Sequence, residues 1–86
     1  MFNIIELYIK RLTKEDVKNF AIKKNINLTD QELDFTYDFL KKNYKDYFKN
    51  PKLFDINRYA NNYDKDTFIK IKKVYEEYTK KYANYL

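Results

Sequence analysis

The side chains that could do chemistry in this sequence are limited to Asp, Glu, Lys, Tyr and Thr, because the chain contains no Ser, Cys or His. Ser and Cys are the usual nucleophiles of acyl transfer, and His is the side chain that ordinarily titrates near neutral pH. Zinc, iron–sulfur and haem sites lose their preferred ligands without Cys and His, and glycine-rich phosphate loops cannot form without Gly. The sequence therefore predicts a non-enzymatic protein with no catalytic residue, cofactor or metal site.

Carboxylates are the remaining candidates for holding a cation. Asp34 and Asp38 are four residues apart, but two carboxylates without further oxygen ligands make a poor site for a hard cation. Asp64 could begin a calcium loop, yet Ile69 and Tyr75 stand where an EF-hand requires Gly and Glu. We therefore expect no metal to be bound.

Lysines form the first candidate binding surface. In the window 41 to 52, five lysines are interleaved with three aromatic residues and opposed only by Asp46. With four C-terminal lysines they could contact phosphates while exposed rings stack on bases. The alternative is a solvated lysine-rich link with buried rings, and the near absence of Arg argues against bidentate readout. The candidate anion or nucleic-acid surface comprises Lys41, Lys42, Lys45, Lys49, Lys52, Lys72, Lys73, Lys80 and Lys81.

An apolar stripe near the C-terminus forms the second candidate. Its members recur at steps of three and four residues, which is heptad spacing. In one interpretation the first four form the core face of a helix and the last two lie on its frayed end. In the other, an exposed tyrosine-rich seam pairs with another protein or a second copy, because Tyr offers a large contact area at low entropic cost. The candidate partner seam comprises Phe68, Ile71, Tyr75, Tyr78, Tyr82 and Tyr85.

Helices must position both surfaces, since three- and four-residue steps between apolar residues run along nearly the whole chain. A first helix is predicted over residues 2 to 11, with little surface facing solvent. Its stripe is Phe2, Ile5, Ile9 and Leu12, widened by Ile4 and Tyr8. A second helix is predicted from 14 to 24, capped by Thr13 and ending near Asn25. Its buried side comprises Val17, Phe20 and Ala21.

A capping box formed by Thr29 and Glu32 predicts that the third helix starts at residue 30. Its inward residues are Leu33, Thr36, Tyr37 and Leu40. Phe35 and Phe39 lie on a different face, so this helix either contacts two neighbours or exposes an aromatic pair. After residue 43 we expect an irregular link.

The pair Asn50-Pro51 predicts the start of a short fourth helix. Its inner face comprises Leu53, Ile56, Tyr59 and Ala60. A last helix, predicted to be the longest, runs from residue 65. Residues 1–86 are thus expected to form a single domain, a compact all-α bundle of about five short helices.

Composition bears on location and partners. The net charge of +5 permits anionic partners, and the absence of Cys is typical of a reducing compartment. No stretch approaches the roughly 20 apolar residues of a membrane span. The N-terminal segment lacks the basic residues of a secretory signal and is expected to belong to the fold. We therefore predict a cytoplasmic protein without a membrane contact.

The pattern of capping and core residues resembles the YqfT-like family of small uncharacterised proteins from low-GC Gram-positive bacteria. The residues that carry the resemblance are Thr13, Asp16, Val17, Phe20, Ala21, Asn25, Ile26, Leu28, Thr29, Tyr47, Phe48, Thr67 and Phe68. The resemblance implies an all-helical fold and a bacterial cytoplasmic setting, and it implies no catalytic or binding residue.

These observations predict a small non-enzymatic protein-interaction or regulatory module. Self-association through the C-terminal helix is one form that the interaction could take, with an unknown protein partner as the other. The alternative is a weak, sequence-independent nucleic-acid-binding protein that uses the lysine-rich surface.

Overall fold

The computed structural model describes residues 2–50 and 54–82, apart from the side chains of residues 2–5, 48 and 82. This described part is helical and contains no strand. Its elements are helices α1 (Phe2–Arg11), α2 (Lys14–Lys23) and α3 (Asp30–Lys49), a 3₁₀ helix (Ile56–Asn62) and α4 (Lys65–Tyr82). The predicted all-α bundle of about five helices is confirmed.

Capping boxes fix the starts of α2 and α3, as the sequence predicts. The Thr13 hydroxyl accepts a hydrogen bond from the Asp16 amide at 3.1 Å, and the Asp16 carboxylate accepts one from the Thr13 amide at 3.0 Å. Thr29 and Glu32 repeat this exchange at 3.1 and 2.8 Å. Near the end of α2, Asn25 has a φ of 61°, in the left-handed region that Asn tolerates. The local sequence therefore determines these boundaries.

Helix α3 continues to Lys49, so the prediction of an irregular link after residue 43 is wrong. Leu40, Tyr44 and Tyr47 follow one another at steps of four and three residues, which keeps one face of the helix apolar. With 20 residues, α3 is longer than the 18 described residues of α4. Because residues 83–86 lie outside the described residues, the prediction that the last helix is the longest stays a prediction.

The fourth helical segment is a 3₁₀ helix rather than a helix that runs on from Asn50-Pro51. Asn50 instead ends α3, and the two residues before the 3₁₀ helix are not helical. The carboxylate of Asp55 accepts a hydrogen bond from the amide of Asn57 at 3.0 Å and caps the segment. Pro51 and Leu53, which belong to the predicted fourth helix, lie outside the described residues.

The aliphatic core is small and lies where α1 and α2 pack on α3. Its buried members are Leu12, Val17, Ala21 and Ile26. Val17 and Ala21 form the inner face of α2, whereas Phe20 lies at its edge and is 42% exposed. Tyr8 is 65% exposed, so α1 presents more surface to solvent than its sequence predicts. The assignment of Phe20 and Tyr8 to the core is wrong.

Aromatic rings form a second apolar region between α3, the 3₁₀ helix and α4, which we call the aromatic cluster. Its members are Phe35, Phe39, Tyr47, Phe54, Tyr59, Tyr63, Phe68 and Tyr75. The ring of Phe39 has centroid distances of 4.7 Å to Tyr59, 5.6 Å to Phe54 and 6.1 Å to Phe35. The Phe39–Tyr59 pair is edge-to-face, which is a favourable arrangement of aromatic rings. Phe35 and Phe39 therefore contact a second neighbour instead of forming an exposed pair.

Glu32 joins the start of α3 to the start of α4. Its side chain is buried, and its Oε1 accepts the hydrogen bond from the Thr29 amide. Its Oε2 accepts a second bond from the backbone amide of Asp64 at 2.8 Å. The Thr36 hydroxyl donates to the Glu32 carbonyl at 2.8 Å and lies 2.6 Å from the hydroxyl of Tyr63. One carboxylate thus links two helix starts that are distant in sequence.

Stability at alkaline pH should depend on Tyr63. Burial raises the pKa of the Tyr63 phenol above its usual value, the hydrogen bond with Thr36 opposes this, and the charge of Glu32 raises it further. A raised pKa in the folded state stabilises the fold below the unfolded pKa, and the contribution is lost as the pH rises through the folded value. Stability should therefore fall above about pH 10.

The Tyr63→Phe variant removes this titration and should lose less stability than the wild type between about pH 9 and pH 11. Denaturant unfolding at a series of pH values measures the difference. Burial also raises the pKa of Tyr75, so part of the dependence should remain. Tyr8→Phe, at an exposed position, is the control and should follow the wild type. An equally steep loss in Tyr63→Phe would contradict the assignment.

Candidate functional site

The first four residues of the candidate partner seam face the interior of the chain. The Phe68 ring lies 6.3 Å from Tyr63, and Tyr75 lies 5.5 Å from Phe54. Tyr78 lies 5.8 Å from Phe20 of α2. Ile71 is half-buried, and the side chains of Tyr82 and Tyr85 lie outside the described residues. Contacts within the chain therefore already engage Phe68, Tyr75 and Tyr78.

The ring of Tyr78 also contacts the ammonium groups of two lysines. The Lys24 ammonium lies 5.3 Å from its ring centroid, and the Lys81 ammonium lies 5.9 Å from it. Both distances are in the range of a cation–π interaction. Because these contacts and the packing on Phe20 engage Tyr78 within the chain, its replacement would disturb the fold as well as any partner site.

Three lysines of the candidate anion surface line one cleft between α1 and α3, which we call the α1–α3 cleft. Its volume is about 370 Å³. The lining residues are Ile9, Lys10, Lys41, Lys42, Tyr44 and Lys45. The sequence pattern does not predict Lys10 at this cleft, because the proximity of Lys10 to α3 depends on how α1 packs. Four lysines from two helices therefore line one cleft.

Helix packing orients Lys41, one of the lysines that line this cleft. The Lys41 ammonium donates a hydrogen bond to the Lys10 carbonyl at 2.8 Å and lies 5.5 Å from the ring centroid of Tyr37. The Lys10 ammonium lies 3.5 Å from Glu6, and the Tyr44 hydroxyl donates to the same carboxylate oxygen at 3.4 Å. The negative charge of Glu6 thus offsets part of the positive charge of Lys10 at the α1 side of the cleft.

The other lysines of the candidate surface are dispersed. Lys49 lines a second cleft of about 400 Å³ that contains two carboxylates and one guanidinium. Its charged lining residues are Asp46, Lys49, Asp55 and Arg58. Lys73 and Lys80 are exposed on α4, Lys72 is half-exposed there, and Lys52 lies outside the described residues. The structure therefore groups Lys41, Lys42 and Lys45, and it places Lys49 in a cleft of mixed charge.

Large apolar side chains on the surface are the feature that sequence reasoning missed. Leu7 and Tyr8 are 55% and 65% exposed on the outer side of α1. Ile22 of α2 and Ile69 of α4 are exposed as well. A signal was present in α1, where six of the ten residues are apolar, more than one buried stripe requires.

Asp34, one of the carboxylates considered for a cation site, contacts a lysine of α2. The Lys14 ammonium lies 2.7 Å from a carboxylate oxygen of Asp34 and forms an ion pair with it. The hydrogen bond within this ion pair is the main cause of the raised pKa of Lys14. Among the residues that the structure describes, no group of three potential metal ligands comes together. None of the described helices combines the length and the apolar character needed to cross a membrane.

Comparison with known proteins adds no relative. The chain matches no protein-family model, no curated protein and no solved structure. The resemblance to the YqfT-like family stays a prediction.

Proposed function

We propose that this chain is a small non-enzymatic protein-interaction module that docks through the outer side of α1. The observation that supports this is the exposure of Leu7 and Tyr8, two large adjacent side chains on a helix whose other side packs on α3. Exposed apolar surface of this kind commonly marks a binding site. Tyr is also enriched where proteins contact each other.

The size of the aliphatic core supports the same proposal. Only four apolar residues among those described are buried, while five large ones are exposed. A partner that covers the α1 surface would remove apolar area from water and so stabilise the module on binding. A regulatory role follows if the partner's activity depends on this docking. The setting we propose is a reducing cytoplasm, because the chain has no Cys, and a bacterial one, because of the resemblance to the YqfT-like family.

Self-association through the C-terminal helix is the second form of this proposal. Because Phe68, Tyr75 and Tyr78 contact rings within the chain, such pairing would use Tyr82 and Tyr85. Sedimentation velocity over a range of concentrations tests it with the variant Tyr82→Glu, Tyr85→Glu. If that variant associates as the wild type does, the C-terminal helix is not the contact.

Docking through α1 is tested by capturing partners on immobilised protein at low and high salt. The variant Leu7→Glu, Tyr8→Glu should retain at least about tenfold less partner, since central apolar anchors dominate binding energy. The control Asn27→Glu, Gln31→Glu adds the same charge at two exposed positions and should capture like the wild type. Circular dichroism verifies that both variants are folded. Equal capture by all three proteins would rule out the α1 surface.

Nucleic-acid binding is the alternative function, and the gathering of Lys10, Lys41, Lys42 and Lys45 in one cleft favours it. The same capture experiment separates the two functions by their response to salt. Phosphate contacts weaken steeply as ionic strength rises, whereas apolar docking persists. Nucleic acid that is retained at low salt and lost at high salt would support this alternative.

A further inference from the structure

The α1–α3 cleft has the size and charge of a small-ligand site. Its volume of about 370 Å³ falls within the range of about 300 to 1,000 Å³ that is typical of ligand pockets. Four lysines line it, and Tyr44 adds a hydroxyl that can donate a hydrogen bond. Ile9 supplies an apolar wall. A ligand that fits these groups is compact and carries several negative charges.

The four cations differ in the contacts that they already make within the described part of the chain. Lys42 and Lys45 are exposed and form no ion pair within the described part of the chain. Lys41 is held by its bonds to α1 and Tyr37, so part of its conformational entropy is already lost before a ligand arrives. Lys10 shares its charge with Glu6. The cleft thus combines one oriented ammonium with two unpaired ones.

Carboxylates limit the length of an anion that this cleft accepts. Asp38 and Asp46 lie one helical turn before and after Lys42 on α3. Beyond Asp46, the next cleft has mixed charge, because Asp46 and Asp55 line it together with Lys49 and Arg58. An extended polyanion that left the α1–α3 cleft along α3 would therefore pass a carboxylate and find no net positive charge in the next cleft.

We propose that the α1–α3 cleft binds a compact anion with two or three linked phosphate groups, held by Lys41, Lys42 and Lys45. Lysines suit such a ligand because each ammonium is a point charge with three donors and imposes no planar geometry. Lys10 and the Tyr44 hydroxyl complete the donors at the α1 wall. This site shares no residue with the docking surface at Leu7 and Tyr8, and it differs from the nucleic-acid alternative in taking a compact anion instead of a long strand.

Isothermal titration calorimetry with tripolyphosphate at low ionic strength tests the proposal on the full chain. We expect a Kd of about 100 µM or tighter, which weakens as salt is added. The variant Lys42→Gln, Lys45→Gln should bind at least about tenfold more weakly, because it removes both unpaired cations. The control Lys73→Gln, Lys80→Gln removes the same net charge from exposed positions on α4 and should lose less than about twofold.

Oligothymidylate in a second titration distinguishes a linear strand from a compact anion. We expect oligothymidylate to bind more weakly than tripolyphosphate. Its affinity should fall by the same factor in the variant Lys42→Gln, Lys45→Gln as in the control Lys73→Gln, Lys80→Gln. Three results overturn the proposal. The first is no measurable heat with tripolyphosphate at about 1 mM, and the second is an equal loss of tripolyphosphate affinity in both double variants. The third is tighter binding of oligothymidylate than of tripolyphosphate, in a manner that depends on the cleft lysines. The first two would leave the docking experiment on α1 unaffected, and the third would assign the cleft to nucleic acid.

Discussion

Replacing Glu32 by Ala should lower the free energy of unfolding by about 2 to 4 kcal/mol, because it leaves two backbone amides without their acceptor. One is the Thr29 amide at the start of α3, and the other is the Asp64 amide before α4. Both contacts are 2.8 Å long, and Glu32 is only 6% exposed, so water cannot easily replace the carboxylate. Hydrogen bonds to a charged acceptor are stronger than neutral ones.

Two further variants test how much the Glu32 carboxylate contributes to the link between α3 and α4. Glu32→Gln retains one carbonyl acceptor but turns a donating amide group toward the other partner, so its loss should be intermediate. Asp30→Ala removes an exposed acid from the same helical turn and should cost less than about 0.5 kcal/mol. Urea unfolding followed by circular dichroism measures all three. If Glu32→Ala and Asp30→Ala lost equal stability, the link between α3 and α4 would contribute nothing.

Glu32 also shows which part of a site can be predicted from sequence. The pairing of Thr29 with Glu32 follows from a spacing of three residues, and the structure confirms it. The bond to Asp64 spans 32 positions and depends on how α4 packs, which no local pattern encodes. The lysines behave in the same way, since Lys41, Lys42 and Lys45 are close in sequence whereas Lys10 joins them only through helix packing.

The sequence encodes the length of α3 in a pattern that is hard to recognise. Its C-terminal half contains many charged residues, which hide the apolar spacing of Leu40, Tyr44 and Tyr47. Those positions pack against two neighbours: Tyr44 reaches Glu6 of α1, and the Tyr47 hydroxyl lies 2.8 Å from that of Thr79 in α4. A helix that has neighbours on two sides shows two overlapping apolar stripes, so a search for a single stripe ends it too early.

Replacing Phe39 by Ala should cost about 2 to 4 kcal/mol, whereas the same change at Phe20 should cost about 1 kcal/mol or less. Phe39 contacts Phe35, Phe54 and Tyr59, and its removal leaves a cavity between α3 and the 3₁₀ helix. Phe20 is 42% exposed, so deleting its ring forfeits less buried area. The two substitutions remove identical atoms, which makes the comparison independent of side-chain type.

This comparison also discriminates between the structure and the sequence pattern. The sequence pattern places Phe20 on the buried side of α2. It leaves Phe39 in an aromatic pair that either contacts a second neighbour or is exposed to solvent. It therefore predicts a larger loss at Phe20, in the range of about 2 to 5 kcal/mol for a fully buried ring. Thermal unfolding separates the outcomes, since about 1 kcal/mol shifts the Tm of a domain this small by roughly 4 to 8 °C. Equal Tm values for the two variants would mean that the aromatic cluster does not hold α3 to its second neighbour.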